Sequence, residues 1–267
     1  MDAKTPSEQV SIADMIDGLE PTKTFGNLEP AKRERVIEAA VEEFSERGFE
    51  AASVNRMVAR LGIAKGSIFK YFGSKQALFR FVFGHAAAEF ADTLRQVRDS
   101  STDLDFFGRI RASIAAGLRF IDAHPRLYRL YLRAVSQEDF PLRGSLLAEA
   151  RSQSAKYLRR LVADGLARGE LRDDLDPDWA VFFLDAAMDR FLQAYAVEHM
   201  DAACGLHGAD QATLERRLDQ LVDILRRGLC ATSLPGQARR GDQIDLTKPG
   251  CRPDPIDPSN APATEPQ

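Results

Sequence analysis

The sequence predicts an all-α protein: an N-terminal three-helix unit followed by a larger helical domain. Three observations carry that reading. Apolar residues recur at helical spacing in segment after segment from Pro30 to Thr232, and no stretch alternates as a strand would. Two short helical runs, 53–61 and 65–72, are separated only by a tight turn at Gly62 and Ile63. Between residues 51 and 88 there is no Asp or Glu, whereas Arg56, Arg60, Lys65, Lys70, Lys75 and Arg80 are basic. The 267-residue chain as a whole is acidic, with net charge −4 and pI near 5.7. A basic unit inside an acidic protein is the footprint of a polyanion site, because neutralised phosphates release their counterions.

Taken in order, residues 1–28 are polar and Pro-containing around one weak amphipathic run (Val10, Ile12, Met15, Ile16, Leu19) and read as a disordered arm. Pro30 suits a first helical position, and Val36, Ile37, Ala40, Val41 and Phe44 form one apolar stripe that ends at Gly48. Ser53 is placed to cap the next helix through its hydroxyl, with Val54, Met57, Val58 and Leu61 on the inner face. Gly62 suits a left-handed C-cap, and Ile63 drops into the core beneath it. In the following helix Ile68 and Phe72, four residues apart, face inward, which leaves Lys65, Ser67, Lys70 and Tyr71 outside. Residues 29–74 therefore predict a helix-turn-helix unit. Ser74 can cap a rod that starts at Lys75 and meets no breaker stronger than Gly84 before Asp99, a length of roughly 35 Å.

Residues 75–233 predict a second, helical domain. Asp103 or Asp105 starts a helix carrying Phe106, Ile110, Ile114, Leu118 and Ile121, which stops at His124-Pro125. A short aromatic-rich segment, 126–135, follows, and Pro141 opens a helix that ends near Gly165 to Gly169. Pro177 opens another, with Trp179, Phe182, Phe183, Ala186, Ala187, Phe191 and Tyr195 apolar on more than one face. The last helix, about 210–232, carries Leu214, Leu218, Leu221, Val222, Leu225 and Leu229 in one stripe. Surplus apolar surface on two adjacent helices suits an intersubunit four-helix bundle, the alternative being packing within one subunit. Residues 234–267 are Pro-rich and polar and read as a disordered tail.

Several features of residues 32–79 together carry a family resemblance. They are the Ala-x-x-x-Phe and Arg47-Gly48-Phe49 runs, the capping Ser53, the Leu61-Gly62-Ile63 turn, the Lys65-Gly66-Ser67 opening of the second short helix, and Phe72 with Lys75. This stretch resembles the DNA-binding domain of the TetR/AcrR family of bacterial transcriptional regulators. Ala64, where a Ser is common, and Phe69, where a Tyr often stands, depart from the pattern and each removes a potential phosphate hydrogen bond. The resemblance implies a double-stranded DNA operator and a homodimer formed through the last two long helices. It also implies a small-molecule effector held in the helical domain. The DNA-binding residues it points to are Ser53, Arg56, Lys65, Gly66, Ser67, Phe69, Lys70, Tyr71 and Lys75. Lys65, Lys70 and Lys75 are expected on phosphate, and Ser67, Tyr71 and Arg56 on phosphate or base edges. A dimer would set two recognition helices about 34 to 36 Å apart. The aromatic and flexible residues Phe120, Tyr128, Tyr131, Phe183, Met188 and Phe191 are the candidate effector pocket, with plain core as the competing account.

Other chemistry is thin. No G-x-S-x-G, P-loop or G-x-G-x-x-G occurs, so the sequence predicts no catalytic site, no enzyme and no cofactor. Cys204, Cys230 and Cys251 have no C-x-x-C spacing, and His199, Cys204 and His207 match no common zinc pattern, so no metal is expected. No long apolar stretch suggests a membrane span or signal peptide, which points to a cytoplasmic protein. The expected function is a homodimeric repressor released from its operator by an apolar or amphipathic effector. A metal- or redox-responsive regulator of the same fold is the alternative, and an all-helical enzyme a more distant one.

Overall fold

A computed structural model of the chain describes residues 21–136, 143–201 and 204–230. The arm up to residue 20, the start of a helix at Pro141 and the tail from 234 onward lie outside the described residues. Among the described residues ten helices follow one another: α1 Lys23–Gly26, α2 Pro30–Ala51, α3 Val54–Leu61, α4 Lys65–Phe72, α5 Lys75–Ser100, α6 Phe106–Ala123, α7 Pro125–Ser136, α8 Arg143–Ala167, α9 Pro177–Ala196 and α10 Gln211–Leu229. A 3₁₀ turn spans Glu198–Met200. The described extended pairing is a single bridge between Leu171 and Cys230, which ties the α8–α9 loop to the end of α10.

The helix ends follow their capping chemistry. Ser74, Asp105, Asp176 and Asp210 each accept an N–H from the residue three positions on, which starts α5, α6, α9 and α10. Gly62 closes α3 at φ 67°, the left-handed conformation its missing Cβ allows. α2 is not one straight rod: Gly48 sits at φ 71° and ψ 180°, so the last turn, through Phe49, leaves at an angle. One expectation is corrected here. Within the stretch read as a disordered arm, Lys23–Gly26 form α1, and Phe25 is only 3% exposed. A lone Phe among polar neighbours gave no periodic signal, because its partners lie some fifty residues away in α4 and α5.

Two hydrophobic cores organise the chain. One gathers Phe25, Val36, Phe44, Met57, Ile68, Phe72, Leu78 and Phe79, and continues into Phe120, Leu127, Leu130 and Leu146. The other joins Phe106, Ile110 and Ile114 of α6 to Leu158 and Val162 of α8, Leu184 and Phe191 of α9, and Leu218 and Leu225 of α10. The three-helix unit therefore does not close on itself. Too small to bury a sufficient core alone, it borrows apolar surface from α5, α6 and α7.

Candidate nucleic-acid interface

α3 and α4 cross with Met57, Val58, Ile68 and Phe72 turned inward and buried. That packing presents Asn55, Arg56, Ala59 and Arg60 from α3, and Lys65, Gly66, Phe69 and Lys70 from α4, to solvent. Phe69 is 40% exposed, a large apolar ring held at the surface among cations. Ser67 lies half-buried at the edge of the same face. Ala64 supplies no side-chain cap to α4, and of the first-turn donors the Ser67 N–H goes to the Ala64 carbonyl at 2.9 Å.

Four of the nine predicted residues are placed differently from the expectation. Tyr71 is buried at 6%, its ring 5.8 Å from that of Phe25, and so is not on the outer face. Arg56 turns its guanidinium back: Nε donates to Glu43 Oε1 at 2.8 Å and a terminal nitrogen to the Ala51 carbonyl at 2.6 Å. Ser53 makes no hydroxyl cap; its backbone N–H donates instead to the same Glu43 oxygen at 2.9 Å. Lys75 is half-buried, donates to the Glu50 carbonyl at 3.0 Å and lies 4.7 Å from the Phe49 ring centroid. Arg56, Ser53 and Lys75 thus all brace the bent end of α2 against α3 and α5. Lys65, Gly66, Phe69, Lys70 and half-buried Ser67 form the face that can meet a duplex.

The acceptor at the centre of this brace was not foreseen. Glu43 has a side chain only 1% exposed, and an acid in the middle of an amphipathic helix reads as solvated until α3 is laid across it. Burial pushes its carboxyl up, but the hydrogen bonds from Arg56 and Ser53 and the nearby positive charge of Arg56 and Arg47 outweigh that and hold it below its ordinary value. From the larger domain, Arg133 of α7 donates to the Ser45 and Glu46 carbonyls at 2.7 and 2.6 Å. Both carbonyls lie within three residues of the break at Gly48.

The six candidate pocket residues do not converge. Phe120 belongs to the first core, its ring 5.3 Å from Phe90 of α5, and Phe183 is 47% exposed. Tyr128, Tyr131, Met188 and Phe191 do share the second core. Around them lies a polar group: Tyr131 donates to Asp189 at 3.2 Å, and Arg151 bridges Asp185 and Asp189 at 3.1 and 3.4 Å. The Tyr128 hydroxyl is buried without a hydrogen-bond partner among the described residues. Burial, with the Asp189 charge nearby, drives both tyrosine hydroxyls far above their ordinary range, so they remain protonated donors. A groove of about 310 Å³ lies elsewhere, between α5 and α6, lined by Gln96, Ser100, Arg119, Phe120 and His124 among others.

The loop after α9 is structural. Asp201 accepts the backbone N–H groups of Cys204, Leu206 and His207, and His207 Nδ1 lies 3.0 Å from the Tyr195 carbonyl. Among the described residues no three His, Cys, Asp or Glu side chains gather as a metal-holding group. No described helix is long and apolar enough to cross a membrane.

Two short crossed helices with an acid-free outer face, carried by a helical domain, define a helix-turn-helix DNA-binding regulator. Residues 36–82 match the family model described as bacterial regulatory proteins of the tetR family, and residues 104–230 match the tetracyclin repressor-like C-terminal domain. The chain belongs to the TetR family of transcriptional regulators. It is 25% identical over 200 residues to the HTH-type transcriptional repressor AcnR of Corynebacterium diphtheriae, an alignment covering 73% of this chain and 92% of that one. A TetR family regulator from Chloroflexus aurantiacus is 28% identical, covers 79% of this chain with 99% of its own and superposes with a TM-score of 0.60. The Bacillus subtilis regulator FadR, solved in complex with stearoyl-CoA, shares the fold at 19% identity and a TM-score of 0.60, with 73% of this chain and 98% of that one aligned.

Proposed function

We propose that this regulator is a homodimeric repressor that occludes a double-stranded operator and is released by a small amphipathic effector bound in its helical domain. The observation that carries the DNA reading is the exposed face of Lys65, Gly66, Phe69 and Lys70, which is free of acidic residues and held by a buried apolar seam. Lys65 and Lys70 serve phosphates, and Phe69 with Ser67 meets the groove. Arg56 and Lys75 hold the reader in place.

For the dimer, Trp179, Phe182 and Ile224 of α9 and α10 are 67%, 61% and 64% exposed, a cost in water that a second copy would relieve. For the effector, the unpartnered Tyr128 hydroxyl inside an apolar cluster supports a ligand whose polar end accepts that hydrogen bond while its chain displaces core side chains. To empty an almost full operator, the effector must favour the non-binding state by about 5 kcal/mol.

The test is selection of bound duplexes from random-sequence DNA by the purified chain, then titration of the selected duplex at several salt concentrations. Lys65→Ala is expected to reduce the salt slope by about 0.9 per protomer. Long-chain thioesters, fatty acids and apolar amines added to the complex then report on release. No retarded duplex even in dilute salt overturns the DNA reading.

A further inference from the structure

We infer that Thr22, on a segment preceding the family match, is a positioning residue for DNA recognition, because it clamps the back end of the recognition helix. The family-model match begins at residue 36, inside α2, so Thr22 lies outside the matched residues. It rests on α4 being the reader, as proposed above.

The accounting of α4 backbone groups carries the inference. A helix leaves its last four carbonyls without intrahelical partners, and an eight-residue helix has few bonds with which to absorb fraying. In α4 those carbonyls belong to Phe69, Lys70, Tyr71 and Phe72. Gly73 N–H donates to Phe69 at 2.8 Å, and Ser74 N–H to Phe72 at 2.9 Å. The middle two are both taken by Thr22: its backbone N–H donates to the Tyr71 carbonyl at 2.9 Å, and its hydroxyl to the Lys70 carbonyl at 2.9 Å. One residue forty-eight positions away in sequence completes the C-terminal end of the helix.

Phe25 fixes Thr22 there. It is 3% exposed, with ring centroids 5.8, 4.8 and 5.4 Å from Tyr71, Phe72 and Phe81, so α1 is wedged between the end of α4 and the start of α5. The N-terminus of α4 has no corresponding support, since Ala64 offers no side-chain acceptor. The helix is therefore open where it faces a phosphate and clamped behind. Lys70, an exposed member of the reading face, is the residue whose carbonyl the Thr22 hydroxyl holds. Loosening that bond frees the turn that carries Lys70 and Phe69 without touching any atom that meets DNA.

The full chain is compared with Thr22→Val, Thr22→Ser and Thr22→Pro. Valine keeps the shape and backbone N–H but removes the hydroxyl, and serine restores it. Proline fits the observed φ of −53° and removes both donors, but its ring also presses on the Tyr71 carbonyl that the N–H meets at 2.9 Å, so it is the more disruptive variant. Thr22→Val should weaken binding to the duplex selected by the unaltered chain about three- to tenfold. Thr22→Pro should weaken it further and Thr22→Ser should bind like the unaltered chain, with the melting temperature and affinity for a random-sequence duplex unchanged in Thr22→Val and Thr22→Ser. Hydrogen exchange of the backbone amides of residues 69–73 should accelerate in Thr22→Pro, whereas those of α5 stay protected.

Unaltered binding by Thr22→Pro overturns the inference. So does a loss in Thr22→Val shared equally by selected and random duplexes and accompanied by a lower melting temperature, or a loss that serine does not rescue. Exchange at 69–73 that is unchanged in Thr22→Pro refutes the clamp whatever DNA does, while failure of the unaltered chain to bind any duplex refutes the DNA reading of α4 alone.

Discussion

Glu43 gathers the donors that fix α3: the Ser53 N–H and the Arg56 guanidinium both end on one oxygen of a carboxylate that solvent barely reaches. Because its pKa is lowered in the folded state, its contribution to stability is complete above the ordinary glutamate value of 4.5 and disappears as pH falls through the lower folded value. Glu43→Gln should cost about 1–2 kcal/mol at neutral pH. In thermal melts across acid pH, the gap between the variant and the original chain should close below pH 4.5; a constant gap would show that the charge is not what matters. At this scale the sequence was half legible. Gly66 and Phe69 were named only through the family resemblance; Lys65 and Lys70 were found on the outer face because helical spacing alone fixes which side opposes Ile68 and Phe72. Tyr71, Arg56, Ser53 and Lys75 were not, because their partners, Phe25, Glu43, Ala51 and Glu50, come from other elements.

Among the elements, α2 is the one on which the two halves of the chain meet. Its bend at Gly48 lies at φ 71° and ψ 180°, a region essentially confined to glycine. Beside the bend, Arg133 of α7 binds the Ser45 and Glu46 carbonyls, and just past it Phe49 lies under Lys75. Gly48→Ala should therefore destabilise the chain by about 1–3 kcal/mol, lowering Tm by roughly 2–4 °C per kcal/mol, measurable by calorimetry. An unchanged Tm would mean the bend is dispensable. This geometry also makes α7 a link between the second core and α2. The rod α5 is present from Lys75 to Ser100, but α7 carries Tyr128 and Tyr131 toward the second core and Arg133 toward α2, so it touches both ends. The Gly48 stop was visible in the sequence as the end of an apolar stripe, whereas the role of Arg133 was hidden by the 87 or more residues that separate it from its acceptors.

At the scale of the whole molecule, the exposed apolar residues of α9 and α10 matter most for assembly. Trp179 and Phe182 stack at 5.2 Å between ring centroids on the outside of α9, with Phe183 and Ile224 also at the surface. Phe182→Asp adds a charge to an already exposed position, so the monomer should fold with its melting behaviour intact while sedimentation shifts to a single copy. Loss of the second reader should then cost about 10²–10⁴-fold in operator affinity, and a variant that still sediments as two copies would exclude this face as the interface. The sequence determined the helical class, the order and approximate ends of the longer helices but not α1, the turn between α3 and α4 and the acid-free face, because spacing, capping and glycine stereochemistry act over a few residues. Tertiary structure alone decided that the reader shares its core with α5, α6 and α7, that the aromatic residues of α9 divide between core and surface, and that Thr22 closes α4. Those outcomes depend on which distant groups satisfy one carbonyl or cover one ring, and no local pattern encodes that choice.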